Sequence, residues 1–418
     1  MKGDYKIWDV AVIGGGPSGM MAAGRAAELG ACVILIEKNE TLGKKLLLTG
    51  GGRCNLTNAE PSTRAFLSKL KENDKFLFST FSQMNIEDTI SFFNKHGLNT
   101  KMEAGRRVFP INDKAKSVLD VLIKYINKSG VTIKTKQSVI DVTTNKDNTF
   151  SIHVKEGDTI KAKKIIIATG GTSRPETGST GDGFKWLTSL GHTIKESDAS
   201  LVPIAISDDW VKTLQGVTLS NIKINVFQNN KKQFSKKGNV LFTHFGISGP
   251  TIINMSKDVR DLLHYGPVII KLDILPTLGD GETNKMLQAL FIKEQNKKFK
   301  NIVNTITPVS AFQKIIMDFS NIEPETFCHS ITREKRLFLA KILKGIPMNV
   351  EGILGKEKAI VTSGGVPLTE VDTKTMESKL CKNLFLTGDI LDIDRPSGGY
   401  SLQICWTTGY VSGTAAAE

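Results

Sequence analysis

Apolar positions in the first forty residues change their period twice. Asp9–Ile13 is a short run rich in β-branched residues, and glycines interrupt it. Met20–Leu29 then sets Met and Ala at helical spacing, and Cys32–Ile36 returns to a strand-like run. The order is strand, turn, helix, strand. Helical periodicity recurs over Ile86–His96 and Ala115–Ser129, and strands are expected at Val131–Lys134, Val139–Thr143 and Phe150–Val154. The apolar run Ile165–Ala168 stops abruptly at Thr169-Gly170-Gly171, so the βαβ pattern carries to about residue 195. From Leu201 to Ile274 the pattern predicts strands separated by polar turns. Thr283–Lys344 predicts helices, with Leu287, Leu290, Phe291, Leu337, Leu339 and Ile342 as their apolar positions. Beyond Pro347 short strands return, Leu384–Leu386 runs into Thr387-Gly388-Asp389, and a last segment starts at Leu402. The expected organisation is an α/β domain over 1–195 that resumes over 353–418. It is interrupted by a β-rich domain over 196–275 and 345–352 and a helical subdomain over 276–344.

Composition narrows the class. With 418 residues, 40% hydrophobic and 23% charged, the chain can bury its own core. Cys32, Cys54, Cys328, Cys381 and Cys405 form no CxxC pair, which argues against a disulfide framework or a structural zinc and for a reducing, cytoplasmic setting. Met1–Trp8 is short and polar and the next apolar run breaks at Gly14, so neither a signal peptide nor a membrane span is expected. The formal charge of +13 comes partly from Lys231–Lys237 and Lys293–Lys300, in polar sequence read as loop-like or helical. A solvated face is the preferred reading of that charge over attraction to nucleic acid or an anionic substrate.

Gly14-Gly15-Gly16-Pro17-Ser18-Gly19 fits G-x-G-x-x-G between a strand and a helix, the context that makes the pattern informative. Gly14 can take the turn's backbone angles, Gly16 lets a pyrophosphate approach the main chain, and Gly19 lets helix and strand pack closely. The helix start adds unpaired N–H groups and a positive dipole end. Glu37, ending the second strand, is placed to accept hydrogen bonds from ribose hydroxyls.

This fingerprint alone does not separate NAD from FAD. Two later features favour FAD. Ala168-Thr169-Gly170-Gly171 and Thr387-Gly388-Asp389 are further strand ends able to contact a long dinucleotide, and Asp389 could accept from ribityl or ribose hydroxyls. Ser397-Gly398-Gly399-Tyr400-Ser401-Leu402-Gln403 starts a terminal helix that would stabilise negative charge on a reduced flavin. Gly43–Asn58 is the most unusual stretch: it runs through Lys45 to Gly50-Gly51-Gly52, and three consecutive glycines suit a flat ligand pressed against the main chain. Arg53, Asn55, Thr57 and Asn58 offer hydrogen bonds to a ring edge, while Cys54 is either a redox partner or, the heavier reading, a packing residue.

Across essentially the whole chain the sequence resembles the bacterial flavoprotein family labelled the aminoacetone oxidase family of FAD-binding enzymes. The stretches that carry the resemblance are Val12–Gly19, Gly43–Asn58, Gly105–Pro110, Ala168–Gly171, Leu241–Pro250, Val361–Val366, Thr375–Leu380 and Gly388–Gln403. It implies an α/β, Rossmann-like FAD-binding domain of the glutathione-reductase type with an inserted β-barrel-like subdomain and a small helical subdomain. It also implies FAD contacts at the first glycine motif, at Glu37 and neighbouring Lys38, at Lys45 and the Gly51-Gly52-Arg53-Cys54-Asn55 stretch, and near Val139. Further implied contacts are Ala168–Gly171, Gly388, Asp389, Gly399, Tyr400, Ser401 and Leu402. Amine oxidation and reduction of unsaturated 3-oxo bile acids are the activities the family suggests. Two positions depart from its pattern: Asp389 stands for the usual Glu, and Ser401 for the usual Asn.

Since a flavin itself carries hydride at N5, the protein need only orient substrate and move a proton. His244, in Leu241–Pro250, is the first candidate for that proton, with a structural histidine as the competing reading. Tyr400 could donate a proton or merely cover the ring, and Arg106 and Arg107 could bind a carboxylate or phosphate or lie on the surface. The expected function is an FAD-dependent oxidoreductase acting on a small organic molecule, as oxidase or as reductase. Only one complete dinucleotide fingerprint is present, so NAD(P)H would visit the flavin transiently as donor. The alternative, an RNA-binding or tRNA-modifying flavoprotein, rests on the net charge.

Overall fold

The computed structural model describes residues 6–195, 202–354 and 364–418, which divide into two compact units. The first comprises Met1–Ser200 and Lys356–Glu418, the second Leu201–Gly355.

In the first unit, strand Ile7–Ile13 leads through the glycine turn into helix Pro17–Glu28 (the motif helix) and back to strand Val33–Ile36. These strands are near-continuous apolar runs because the sheet is covered on both faces, and alternation therefore disappears. Among the described residues the sheet has nine strands. Its main path runs 371–372, 377–378, 384–386, 160–167, 7–13, 33–36, 132–134, with the hairpin 139–144 and 150–154 joined to 160–167. The central strands are parallel, and the register pairs Ile13 with both Ile36 and Ile167, and Ile167 with Leu386. Four strands therefore stop level with one another. Gly14, Glu37, Ala168 and Thr387 emerge side by side at the carboxyl edge, where open α/β sheets bind ligands.

The terminal helix, Tyr400–Ala417, is buried almost throughout and packs against the motif helix. Small residues allow the approach: a Cβ on Gly409 would stand 2.5 Å from the Ser18 carbonyl oxygen, and one on Gly413 2.4 Å from that of Ala22. The indole of Trp406 is fully buried and donates to the Leu56 carbonyl at 2.9 Å, tying this helix to the stretch that follows the three glycines.

The second unit is a closed antiparallel barrel in the order 204–206, 246–248, 231–243, 218–228, 268–273, 346–353. Helices Asp280–Lys293, Ser310–Ser320 and Arg333–Leu343 share one apolar core with it, Phe242 packing on Phe312 and both on Trp210. Three expectations need correction here. The stretch 201–274 is not strands alone, since helix Pro250–Leu263 lies within it. Gly249 at φ 99° turns the chain, Pro250 opens the helix, and Ile252, Ile253, Met255 and Val259 bury one face. Lys231–Lys237 is neither loop nor helix but the outer half of strand Lys231–Thr243, held by its ladder to Thr218–Gln228. Ile353, placed by sequence in the resumed first domain, pairs with Ile204 in the barrel. The expected start of the insertion at 196, and Val361–Ser363 of the matched motif, fall outside the described residues.

The helix crossing yields a test in which two effects oppose. Gly413→Ala gains about 1 kcal/mol of helix propensity but drives a methyl group into main chain, and overpacking costs about 1–3 kcal/mol. The clash wins because backbone cannot step aside. A lower midpoint of thermal unfolding is expected for Gly413→Ala, measured by circular dichroism.

Candidate dinucleotide site

The glycine turn is fixed by what a side chain would strike. Gly14 has φ 109°, and a Cβ there would meet the Ala168 carbonyl oxygen at 2.4 Å; one on Gly19 would lie 1.9 Å from the Gly14 carbonyl oxygen. Gly16, the N-cap of the motif helix, is different: its backbone is extended and a Cβ would meet nothing within 4 Å. Pro17 opens the helix, no side chain caps it, and Ser18 is buried in its first turn. The helix start therefore presents bare N–H groups to open space, an arrangement suited to phosphate.

Glu37 locks this turn to the second strand. One carboxylate oxygen accepts from the Gly15 N–H at 2.7 Å, and the other from the Asn39 main chain and side chain, both at 2.7 Å. A carboxylate oxygen offers two acceptor sites, so the oxygen bound to Gly15 keeps one for a ribose hydroxyl, while the one bound twice by Asn39 is filled. Lys38 is engaged with Thr180 at 2.6 Å and Asp182 at 2.8 Å.

Helix Lys44–Leu48 delivers the chain to Gly50, Gly51 and Gly52, whose φ values of 58°, 68° and 86° are all left-handed. A Cβ on Gly51 would meet nothing, and one on Gly52 only the Leu47 carbonyl oxygen at 4.0 Å. Exposed main chain is what the three glycines provide. Of the side chains that follow, Arg53 and Thr57 do not match the expected ring-edge role, and Cys54 takes its packing reading. Arg53 is no ring-edge donor, because its guanidinium is bonded to Asp113 and Glu103 at 2.5 Å each and lies over Phe109. Those two carboxylates hold its pKa above the ordinary arginine value. The Cys54 thiol has no exposure, and burial pushes its pKa up to about 12, which removes it as a redox partner. Thr57 spends its hydroxyl on Gln403 at 2.6 Å. What is left over is informative: the side-chain oxygens of Asn55, Asn58 and Thr169 are buried without a hydrogen-bond partner among the described residues. Such groups are costly unless a ligand or water completes them, so a polar cofactor fits.

The late strand ends close the site. Ala168 donates to Ile13 at 2.8 Å, and Gly170 at φ 71° turns toward Gly171 and Ser173. Gly388, at φ 76°, donates to the Thr408 hydroxyl at 3.0 Å, and a Cβ there would lie 2.5 Å from the Ser18 hydroxyl. Asp389 is held between two cations, Lys45 at 3.1 Å and Arg395. Burial works to raise its pKa, but the charges of Lys45 and Arg395 outweigh it and the carboxyl is held below its ordinary value. Gly399, at φ 101°, is pressed onto Thr57, its Cβ position 2.4 Å from the Thr57 carbonyl, and the terminal helix starts uncapped behind it. Ser401 accepts from Arg395 at 3.1 Å, and Leu402 is buried in the core.

Tyr400 is corrected as an acid. Its ring packs 4.7 Å from Phe66 and its hydroxyl donates to Glu60 at 2.7 Å. Burial and that carboxylate push the phenol well above its usual value, so its proton is not on offer. Arg106 completes the same cluster by pairing with Glu60 at 2.8 Å, and Arg107 donates to Ala104 at 3.0 Å. Val139 pairs with Val154 in the edge hairpin. His244 is exposed at the turn before strand Gly246–Ser248 of the second unit, edge-on to Phe245, and its ring nitrogens have no hydrogen-bond partner among the described residues. Gln403 was named only as part of the turn that starts the terminal helix, and Glu60, Arg395 and Thr408 were missed by sequence reading. Of these only Arg395, a charge inside a glycine-rich turn, carried a visible signal. Among the described residues no cluster of ligating side chains could hold a metal, and no helix is long and apolar enough to cross a membrane.

Gly16→Ala should leave the midpoint of unfolding near wild type yet lower FAD affinity about tenfold or more, whereas Gly19→Ala should unfold the protein. Thermal scans combined with flavin titration read both. For Cys54, a pKa of about 12 leaves roughly one thiol in ten thousand ionised at pH 8. Mass spectrometry after iodoacetamide treatment of native protein should find exposed Cys32 alkylated and Cys54 intact; rapid Cys54 labelling would restore its redox reading.

A 3-dehydro-bile acid delta(4,6)-reductase of Clostridium scindens is 30% identical to this chain over 412 residues, 98% of this chain and 99% of that one. A ribosomal RNA dihydrouridine synthase of Escherichia coli strain K12 is 28% identical over 409 residues, 96% of each. Among solved structures, the 3-ketosteroid-delta4-(5alpha)-dehydrogenase of Rhodococcus jostii RHA1 superposes with a TM-score of 0.56 at 13% identity, covering 100% of this chain and 98% of that one. The open conformation of a flavocytochrome c3 fumarate reductase gives 0.55 at 17% identity, covering 99% and 79%. At such identities the structural likeness speaks for the fold, which is α/β and of the Rossmann type found in FAD-binding flavoenzymes. The family model for the HI0933-like protein Rossmann domain matches residues 8–415, and the chain belongs to that family.

Proposed function

We propose that this protein is an FAD-dependent reductase that adds two hydrogens across a carbon–carbon double bond conjugated to a carbonyl, in a small organic substrate such as an unsaturated 3-oxo bile acid. The observation that carries the reading is the full-length similarity to the bile acid delta(4,6)-reductase, over a chain whose strand ends and three unsatisfied polar oxygens suit FAD. Residues proposed to hold the cofactor are the Gly14–Gly19 turn for the pyrophosphate, Glu37 for a ribose, and the open main chain of Gly51 and Gly52 for the ring. Asn55 and Thr169 supply acceptors beside them, and Asp389 stays the ribityl candidate through its remaining acceptor capacity.

The bound flavin supplies hydride, which such a reaction places on the carbon β to the carbonyl. A proton must reach the α carbon, and His244 is the residue proposed to deliver it, because its ring is exposed and uncommitted. Electrons come from NAD(P)H, visiting in turn with the substrate since only one dinucleotide fingerprint is present. Amine oxidation, suggested by the resemblance to aminoacetone oxidases, runs electrons the opposite way and is the competing direction.

A second reading has its own support. The uracil ring also holds a double bond conjugated to a carbonyl, the Escherichia coli relative is named for reducing it in ribosomal RNA, and Lys223, Lys231, Lys232, Lys236 and Lys237 on the barrel strands have no ion-pair partner among the described residues. The small-molecule reading leads because its relative is the more similar over as much of the chain.

Anaerobic stopped-flow decides direction: NADH or NADPH should bleach the flavin, an enone should restore its colour, and an amine should do neither. Bleaching by an amine followed by rapid reoxidation in air would overturn the reading. Retention of RNA at low salt with reduction of its uridines would replace the substrate. His244→Gln should slow enone turnover about a hundredfold with flavin bleaching by NAD(P)H unchanged.

A further inference from the structure

Arg395 lies in the loop between Gly388 and the terminal helix, and its side chain has no solvent exposure. Its Nε donates to Ser401 at 3.1 Å, one Nη to the Ile393 carbonyl at 2.5 Å, and the other to Asp389. An arginine has five N–H donors. Two are therefore without a partner among the described residues.

Within the trio of Arg395, Asp389 and Lys45 the charge does not cancel. Asp389 gives one oxygen to Arg395 and the other to Lys45, which also donates to Ser173 at 2.6 Å. One carboxylate thus serves two cations, and the three side chains together carry one net positive charge. The uncapped helix start, with no acidic residue in its first turn, adds to that sign. A buried guanidinium is expensive, and apolar side chains of similar volume commonly stabilise a fold as well or better. The core does not need a cation here; a ligand that gains negative charge does.

We infer that Arg395 is a tuning cation of the cofactor site, whose buried charge and two spare N–H groups raise the two-electron reduction potential of the bound flavin. The inference rests on the FAD reading above. Hydride from a nicotinamide donor breaks its C–H bond, leaves the nicotinamide oxidised and gives the flavin ring one more negative charge than before, and nearby positive charge favours that state. Lys45 is a partial substitute, being shared with Ser173, whereas Arg395 is the more enclosed of the two cations, with side-chain exposure of 0% against 24%.

The test is the midpoint potential of FAD-loaded protein, titrated against reference dyes under argon. Wild type should lie above free FAD in the same buffer. Arg395→Met should weaken the reduction equilibrium tenfold or more, about 30 mV for a two-electron couple, and Arg395→Lys should keep most of the wild-type value. A wild-type potential at or below that of free FAD, or a Met variant at the wild-type potential, overturns the inference. If the Met variant does not retain flavin, the wild-type comparison with free FAD and the Lys variant decide. A wild-type chain with no affinity for FAD would sink the FAD reading and this inference with it; a chain that binds FAD at an unraised potential sinks the inference alone.

Discussion

Four buried parallel strands must stop in register before any of the loops at their ends can act together. Ile13 opposite Ile36 and Ile167, and Ile167 opposite Leu386, set that line. The constraint reaches the turns through steric contact, because the Gly14 backbone touches that of Ala168, Gly19 closes on Gly14, and Gly388 closes on Ser18. Each glycine is a place where two of the strand ends or helices come within van der Waals reach. A methyl group at any of them would part the loops that have to share one ligand. The register and the glycines are thus one requirement, expressed once in the apolar runs and once in the turns.

Those parts were legible in the sequence for that reason. A buried parallel strand leaves an apolar run of β-branched residues, and a left-handed or crowded turn leaves glycine, so the edges near Gly14, Gly170, Gly388 and Gly399 could be found without coordinates. The β-rich region was legible as a class but not in detail. Helix Pro250–Leu263 was hidden because its apolar positions also suit a strand-rich stretch, and the lysines of Lys231–Lys237 obscured a strand whose outer half is solvated. Side-chain commitments were the least legible. Arg53 answers to Glu103 and Asp113, and Tyr400 to Glu60, partners 50 to 340 residues away that no local pattern announces.

Those commitments share a logic. Around the open main chain of Gly51 and Gly52 several polar side chains are committed within the protein: Arg53 to its carboxylates, Thr57 to Gln403, and the Asn58 amide N–H groups to Gly105 and Gly398. Gly clusters cost conformational entropy, and bracing them with hydrogen bonds and ion pairs limits that cost to folding rather than leaving it to ligand binding. The backbone of Gly51 and Gly52 is left open, and these side chains brace it. An exposed ion pair contributes little by itself, but here the shared anchors Asp113 and Glu103 fix a loop whose use depends on its shape.

Asp389 and Arg395 follow the same pattern with a different consequence. A carboxylate serving two cations cannot neutralise both, so the trio Asp389, Lys45 and Arg395 keeps one net positive charge at its end of the sheet edge. Both side-chain partners of Arg395 are short, and they are Asp389 and Ser401, the two positions named above as departing from the motif the sequence resembles. A longer acid at 389 and an amide at 401 would compete with a guanidinium for the same space. The departures and the arginine are therefore coupled: exchanging one without the others leaves either a crowded site or an unpaired buried charge, and the latter is the costlier error.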